Sequence, residues 1–396
     1  MTAQERVLSR STIVRYATGS LGTGGFATLP GLVLIFFLTD TLGVAALFAG
    51  ILVTAAKVWD VIIDPVIGAR SDRSLALHGS RRPFMIAGAV LLPVFFILTF
   101  AVPGGLDPWV SGIWVLLAFV LTATAFSLFQ VPYIALPAEL ASGYDQRTRL
   151  ISARVVVLTL AILLFGAGGP ALRDGFADEH VGYLVMAIVA GLVIGGGMLV
   201  SAFVAARGPR GTAEKYSIAD NYRTGYAALK RSQPFRALLF TFLLQGLATG
   251  IMLAGAQYVA SWVLGTGVTI LFISLIAPAF LFAPLWAVIA RRIGKERAFV
   301  YASLLFGIAA LSMVLLAWYP GAWVYGPVAL AGAGYAGMQS LPMAMLPDVI
   351  SHDAASNGKG SAGTFGGVWT AGETTGMALG ATVLTIVLAA SGYLES

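Results

Sequence analysis

The sequence predicts an all-α membrane protein built from two pseudo-symmetric bundles of six helices each. Three observations lead to this fold class. Of the 396 residues, 58% are apolar and only 11% are charged, whereas about a quarter of the residues in a soluble domain are charged. Eleven apolar segments are long enough to cross a bilayer, and short motifs recur in the two halves of the chain.

The predicted spans follow one another with short connections, at roughly 20 apolar residues per crossing. The first set lies near residues 13–39, 44–70, 83–103, 110–138, 147–172 and 181–206, and the second near 234–262, 268–291, 297–318, 323–347 and 361–391. Two complete six-helix halves would place a twelfth helix after Ser396. We therefore expect a truncated sequence or an atypical gene end.

The basic residues predict the orientation of these spans. Of the 24 Lys and Arg, 22 fall in the N-terminal tail, in the loops after even-numbered spans or at the adjoining helix ends; Lys57 lies within a span and Arg173 on the other side. Because Lys and Arg are enriched in cytoplasmic loops, we expect a multi-pass protein of the cell membrane with a cytoplasmic N-terminus. The N-terminal segment lacks the apolar core and cleavage site of a signal peptide.

One long polar stretch divides the chain into an N-terminal bundle (1–205), a cytoplasmic linker (206–233) and a C-terminal bundle (234–396). Tyr222, Tyr226 and Leu229 in the linker have the spacing of a short amphipathic surface helix, and a plain flexible linker is equally compatible. The motif P-x-x-x-L-P occurs at 132–137 and again at 342–347, a repeat typical of transporters that rock around a midplane site.

The second span carries Lys57, Asp60 and Asp64 on one face, within an arc of roughly 60°. Because charges in hydrocarbon are costly, such residues face the bundle interior and pair with one another. The two carboxylates either cage a small cation or share a proton, since two close acids do not both ionise easily. The alternative is a buried ion pair that joins two helices. Pro65 is expected to interrupt the helix.

Several other kinds of chemistry are excluded. The chain has no cysteine, so disulfides and thiolate metal sites are absent, and its Gly-Lys pairs lack the upstream glycine of a phosphate-binding loop. His78, His180 and His352 are expected in loops, which leaves an intramembrane enzyme without a base. We expect no enzyme activity, no cofactor, no metal beyond Na⁺ at the carboxylates, and no nucleic-acid partner; the expected partners are the lipid bilayer and a small-molecule substrate, with the protein a monomer.

The stretch W-D-x-x-x-D-P-x-x-G, from Trp59 to Gly68, resembles the helix-two signature of the glycoside–pentoside–hexuronide cation symporters of the major facilitator superfamily. Residues 71–84 are similar to their cytoplasmic loop, and 131–154 to their P-Y-x-A-L-x-x-E-…-R-T-x-L-x-x-x-R segment. FFLTDTLG (36–43) and PLWAVIARRIGKERAF (284–299) match in the same order. The resemblance implies the major facilitator fold and cation-coupled symport by alternating access.

The resemblance also implies roles for the matched positions. Asp60 and Asp64 would bind the coupling ion, with Ser127 as a hydroxyl ligand and Lys57 beside them. Ile63 replaces an asparagine near the ion, which leaves Na⁺ and H⁺ both open. The implied cytoplasmic gate, for which ordinary loop salt bridges are the alternative, consists of Asp72, Arg73, Glu139, Arg147, Arg154, Arg291 and Asp348.

The sugar-gripping positions of the melibiose branch are changed here. Its two acids correspond to Gly24 and Gln130, its stacking tryptophan to Ile134, and its helix-eleven lysine to Thr374, with Glu373 adjacent. The candidate substrate contacts are Thr23, Gln130, Tyr133, Gln245, Trp369, Thr370 and Glu373, with Gln257 and Gln339 as further cavity candidates. The preferred function is symport of a sugar or glycoside. Symport of an amphiphile such as a lysolipid, proton-coupled export, and a passive channel or scramblase are the alternatives.

Overall fold

The computed structural model describes residues 8–140, 144–205, 229–357 and 362–393, and these residues form helices and short connections without a strand. The all-α prediction is confirmed. The helices are α1 Arg10–Phe36, α2 Ala46–His78, α3 Arg82–Phe100, α4 Pro108–Leu140, α5 Tyr144–Arg173, α6 Glu179–Ala202, α7 Gln233–Tyr258, α8 Val268–Ile293, α9 Lys295–Ser312, α10 Tyr325–Asn357 and α11 Ala362–Ala390.

Each of the eleven predicted spans corresponds to one of these helices. By the length and composition of their described residues, nine helical segments, α1 to α9, could cross a membrane, and the described apolar part of α11, Thr374–Ala390, is shorter. α10 covers its predicted span but is less apolar, because Gln339 and Ser340 lie within it. The prediction of a polytopic membrane protein is confirmed.

α2 is longer than predicted. The cytoplasmic loop expected at 71–84 is helical as far as His78, and the connection to α3 is only three residues long. Gly68 lies within the helix, and Gly79 ends it in a left-handed conformation with φ 70° that glycine adopts readily. The expected interruption at Pro65 is also wrong, since α2 continues through it.

The expectation that the three histidines lie in loops is wrong for the same reason, because the helices extend past their apolar spans. His78 is the last residue of α2 and His180 lies in the first turn of α6. His352 lies near the end of α10, which runs ten residues past the predicted end at 347.

The chain divides into two compact units, Met1–Ile218 with Thr385–Ser396, and Ala219–Leu384. In the first unit α1 packs on α5 and α6, α3 on α4 and α6, and α2 on α4; in the second unit α10 packs on α8 and α9. The linker proposed for 206–233 and the amphipathic helix with Tyr222 and Tyr226 fall largely outside the described residues and stay predictions.

Small residues permit the close helix packing. A Cβ added at Gly195 of α6 would lie 2.8 Å from the carbonyl oxygen of Ala89 and would also meet the ring of Pro93, both on α3. A Cβ at Gly332 of α10 would collide with the carbonyl oxygen of Leu275 on α8. Such contacts are typical of transmembrane helices, whose backbones approach closely where side chains are small.

α1 and α7, the first long helix of each half, end in the same way. Each continues into a short π-helix, Phe37–Thr41 after α1 and Val259–Leu264 after α7. Both π-helices are followed closely by a glycine with positive φ, Gly43 at 65° and Gly265 at 63°, and in both cases the preceding residue is leucine. The internal repeat indicated by the proline motif therefore also appears in the backbone.

Candidate functional site

Lys57, Asp60 and Asp64 lie on one face of α2, as the helix period predicted. Lys57 Nζ is 3.3 Å from Asp60 Oδ2. The second oxygen of Asp60, Oδ1, and Oδ1 of Asp64 are both buried and have no hydrogen-bond partner among the described residues. The face therefore contains one ion pair and two buried carboxylate oxygens whose hydrogen-bonding or coordinating capacity a bound ligand would satisfy.

α4 contributes to this site from the other side. Ser127 is buried, and its side chain lies beside the carboxyl group of Asp64. One turn earlier on α4, Thr124 Oγ1 accepts a hydrogen bond of 2.8 Å from Trp59 Nε1 on α2. The structure thus brings Lys57, Asp60, Asp64 and Ser127 into one cluster. Sequence reasoning missed the Trp59–Thr124 bond, although Trp59 belongs to the matched motif.

The cluster has the donor set for a small hard cation. Carboxylate and hydroxyl oxygens are hard ligands that suit alkali and alkaline-earth ions, whereas nitrogen and sulfur ligands suit transition metals. With both acids ionised and Lys57 protonated, the cluster carries a net charge of −1, which one monovalent cation or one proton neutralises. Among the described residues, no group of three or more His, Cys, Asp or Glu is placed to hold a metal ion.

A second polar cluster lies where α1, α4 and α5 meet. The Tyr133 hydroxyl donates to the carbonyl oxygen of Tyr16 at 2.9 Å and lies 3.0 Å from Ser20 Oγ. The two tyrosine rings stack at 4.8 Å, and the guanidinium carbon of Arg154 lies 5.3 Å from the centroid of the Tyr133 ring. The candidate substrate residue Tyr133 is therefore fully buried, and Arg154, expected in the gate, contacts it.

Two other substrate candidates of the first unit have buried oxygens without a partner. Thr23 on α1 is 5% exposed, and its Oγ1 has no hydrogen-bond partner among the described residues. The same holds for Oε1 of Gln130 on α4. A buried polar atom without a partner is costly, so both positions favour a ligand with hydrogen-bonding groups, which for Gln130 Oε1 must be donors.

The candidates of the second unit form their own contacts. Gln245 Nε2 donates to Gln339 Oε1 at 2.8 Å, which joins α7 to α10. The indole of Trp369 stacks on Phe242 at 3.9 Å, and its Nε1 is buried without a hydrogen-bond partner in the described chain. Gln257 Nε2 donates to Ser261 Oγ at 2.9 Å. Thr370 and Glu373 belong to α11, and their side chains lie outside the described part of the structure.

At the predicted cytoplasmic end of the first unit, Arg81 connects two residues of the expected gate. Its guanidinium forms an ion pair with Asp72 of α2, and its Nε lies 2.5 Å from Glu139 Oε1 of α4. Nη1 also donates to Ser71 Oγ at 2.9 Å. Arg81 lies in the loop segment 71–84 that the sequence analysis matched, but it was not named among the gate residues.

The second unit has a similar contact at the corresponding end. Lys295, at the start of α9, places its Nζ 2.5 Å from Asp348 Oδ2 and 2.9 Å from the carbonyl oxygen of Ala344, both on α10. Five residues after Asp348, Asp353 is 3% exposed and forms a bidentate pair with Arg231.

The other expected gate residues are placed as follows. Arg73 and Arg291 are exposed, and Arg291 Nε donates to the carbonyl oxygen of Ala287 at 3.3 Å. The side chain of Arg147 lies outside the described part of the structure. Among the described side chains, the acids of the expected gate pair with Arg81 and Lys295 and not with Arg73, Arg154 or Arg291.

Comparison with known proteins agrees with this arrangement. Residues 15–396 match the family described as MFS/sugar transport protein. The glucuronide carrier protein homolog of Escherichia coli is 24% identical over 405 residues, which cover 98% of this chain and 85% of that protein. The isoprimeverose transporter of Lactiplantibacillus pentosus is 25% identical over 389 residues, covering 92% and 76%.

The crystal structure of a variant of the nucleoside transporter NupG has the same fold, with a TM-score of 0.67 and 13% identity over 96% of this chain and 91% of that one. The family match, the sequence relatives and the shared fold agree with the symporter motifs on α2 and α4. The chain therefore belongs to the MFS/sugar transport family, is similar to the glycoside–pentoside–hexuronide cation symporters, and is a membrane transporter with the major facilitator fold and not an enzyme.

Proposed function

We propose that this protein carries a sugar or glycoside inward across the plasma membrane, together with Na⁺ or H⁺, by alternating access. The observation that carries the proposal is the cluster of Asp60, Asp64 and Ser127, in which two buried carboxylate oxygens have no partner among the described residues. The names of the sequence relatives, a glucuronide carrier homolog and an isoprimeverose transporter, support a sugar-type substrate.

The charge of the cluster gives a physical reason for coupling. Without a bound ion, Lys57 neutralises Asp60 through the 3.3 Å contact, and Asp64 leaves one negative charge. A membrane-buried charge is costly, so the ion-loaded cluster, which is neutral, passes more readily between the outward-open and inward-open states. Coupling follows because the substrate-loaded transporter changes state only after the ion has bound.

The substrate contacts that we propose in the first unit are polar rather than acidic. Thr23 Oγ1 needs a hydrogen-bond partner and Gln130 Oε1 needs a donor, and sugar hydroxyls supply both. Tyr133 and its partner Tyr16 hold α1 and α4 in place beside them. The second unit has candidate contacts of its own: Trp369, whose Nε1 has no hydrogen-bond partner in the described chain, and Gln245, Thr370 and Glu373 as predicted from the sequence.

Uptake into proteoliposomes tests the proposal. Purified protein is reconstituted, and the uptake of labelled glucuronides, xylose-containing disaccharides and a lysophospholipid is measured under an inward Na⁺ gradient, an inward H⁺ gradient, or neither. We expect accumulation of a sugar derivative with one of the gradients. Uptake that is independent of both gradients contradicts symport. Accumulation of the lysophospholipid alone would show that the substrate is an amphiphile and not a sugar.

Asp64→Asn separates coupled transport from passive flux. This change keeps the shape of the side chain but removes the charge that the ion neutralises, so we expect gradient-driven uptake to fall to background. Glu296→Gln, at an exposed position at the start of α9, serves as the control that removes a carboxylate elsewhere. If gradient-driven uptake by Asp64→Asn equals that of the wild type, Asp64 is not the coupling residue. Flux that is unchanged by the substitution and independent of both gradients identifies a passive channel or scramblase.

A further inference from the structure

An open surface pocket of about 400 Å³ lies near the N-terminal ends of α1 and α5. It is lined by Arg10, Ile13, Val14, Arg149 and Ser152, all within the first unit. These are the helix ends that the distribution of basic residues places at the cytoplasmic leaflet. The pocket is separate from the carboxylate cluster on α2 and from the candidate sugar contacts.

The polar wall of the pocket is positively charged. Arg10 and Arg149 are both exposed, and neither forms an ion pair with a described residue. Glu139, at the end of the neighbouring helix α4, forms its ion pair with Arg81 and not with Arg10 or Arg149. Two guanidinium groups and the hydroxyl of Ser152 therefore offer hydrogen-bond donors to an anion, and arginine is well suited to phosphate because its donors form a planar fork.

The apolar wall lies deeper along the helices. Val14 is one turn inward from Arg10, about 6 Å along the helix axis, and it is 61% exposed. Ile13, beside Val14 on α1, is the other aliphatic residue that lines the pocket. Charge at the helix ends and aliphatic side chains one turn further in form the same sequence of surfaces as a phospholipid, from its headgroup to its acyl chains.

We propose that this pocket binds an anionic phospholipid of the cytoplasmic leaflet, such as phosphatidylglycerol. The lipid phosphate accepts hydrogen bonds from Arg10 and Arg149, and an acyl chain lies on Ile13 and Val14. The negative surface potential of that leaflet attracts basic groups at the membrane surface, and the aliphatic wall selects a lipid over a soluble phosphate. This site is independent of the proposed transport function.

Native mass spectrometry of the purified full-length protein tests the proposal. Delipidated protein is titrated with phosphatidylglycerol, phosphatidylethanolamine or inorganic phosphate, and the number of bound lipid or phosphate molecules per protein is measured. We expect phosphatidylglycerol to bind, and Arg10→Gln/Arg149→Gln to weaken its binding about tenfold, as the loss of charge-assisted hydrogen bonds predicts. Arg15→Gln, an exposed arginine of α1 outside the pocket, is the matched control and should bind like the wild type.

Three results would overturn the proposal: unchanged binding in the double variant, an equal loss in Arg15→Gln, and equal binding of inorganic phosphate. The first two show non-specific attraction to basic residues, and the third shows a site for a soluble anion. A photo-crosslinkable phosphatidylglycerol used with the wild type keeps the test valid if the double variant does not fold. Its adducts should map to the pocket residues near the N-terminal ends of α1 and α5, and adducts confined to other helices also contradict the site.

Discussion

Arg81 is a single residue that joins three elements of the first unit. It lies between α2 and α3, is mostly buried, and contacts Asp72 of α2 and Glu139 of α4. Removing a central arginine leaves two carboxylates without their partner, which costs more than the pair itself contributes. The stability of this end of the unit therefore depends strongly on one side chain.

We expect Arg81→Ala to lower the stability of the purified protein by roughly 1–2 kcal/mol, discounted because the acids are partly exposed. Thermal unfolding in detergent measures the change. Arg70→Ala removes an exposed arginine from α2 and should leave the melting temperature within a degree or so. Equal melting temperatures for the two variants would show that Arg81 is no more than a surface charge.

Trp59 offers a test of how the carboxylate cluster is held. Its bond to Thr124 fixes α2 against α4 beside Asp60, so Trp59→Phe should raise the ion concentration needed for half-maximal uptake by roughly three- to tenfold. Trp114 is equally exposed at 36% and also donates an indole hydrogen bond, to the carbonyl oxygen of Leu98. Trp114→Phe is the matched control, and an equal shift in both variants rules out a positioning role for Trp59.

At this scale the sequence predicted what the helix period determines and missed what tertiary contacts determine. Lys57, Asp60 and Asp64 share a face because of their spacing alone, so their meeting was predictable. Arg81 was not predictable as the partner of Glu139, because the contact depends on where α3 begins relative to α4. The roles assigned to these residues in ion binding and gating stay predictions.

Hydropathy predicted where the helices lie along the chain, but it did not predict where several of them end. The apolar segments locate every described helix because burial in lipid requires continuous apolar stretches. The ends of α2 and α10 were set too early, since a helix continues beyond the membrane until a residue such as Gly79 stops it. Pro65 does not break α2, and proline is tolerated inside transmembrane helices because neighbouring groups replace the lost backbone bond.

The contact between α3 and α6 gives a prediction for two adjacent glycines. A Cβ at Gly195 would meet Pro93 and Ala89, whereas nothing lies within 4 Å of a Cβ at Gly196. We expect Gly195→Ala to force α3 and α6 apart and to lower the stability by about 1–3 kcal/mol, the usual cost of overpacking. Gly196→Ala should be neutral or slightly stabilising, because alanine favours helix.

Thermal unfolding of the two glycine variants in the same detergent is the measurement. The two positions lie on the same helix, so any effect on helix propensity is shared. If Gly195→Ala melts at or above the temperature of Gly196→Ala, the two helices do not pack as closely as described.

For the molecule as a whole, composition was sufficient for the fold class. A chain that is 58% apolar and 11% charged must satisfy its backbone inside lipid, and helices achieve this within a single segment. The substrate could not be predicted in the same way, because it depends on a few side chains whose placement follows from tertiary packing. The predicted orientation rests on the basic residues. Exposed aromatic residues such as Trp109, Trp262 and Trp318 lie at the opposite ends of the helices, as expected for residues at a membrane–water interface.

The absence of native cysteine makes the orientation directly testable. A single cysteine at Gly104, in the connection between α3 and α4, should react with a membrane-impermeant thiol reagent on intact cells. A single cysteine at the exposed His78, at the end of α2, should react only after the cells are permeabilised. The reverse pattern would place the N-terminus outside.

The matching ends of α1 and α7 bear on the history of the chain. A π-turn contains one residue more than the α-helical turn it replaces, and it is rare enough that two independent insertions at corresponding places are improbable. Because the extra residue precedes a Leu-Gly pair in both copies, the simplest genealogy puts it in an ancestral bundle that was later duplicated. On that view this bend of the backbone is older than the division of labour between the halves, and the carboxylates of α2, which lack a counterpart on α8, arose or survived in one descendant only.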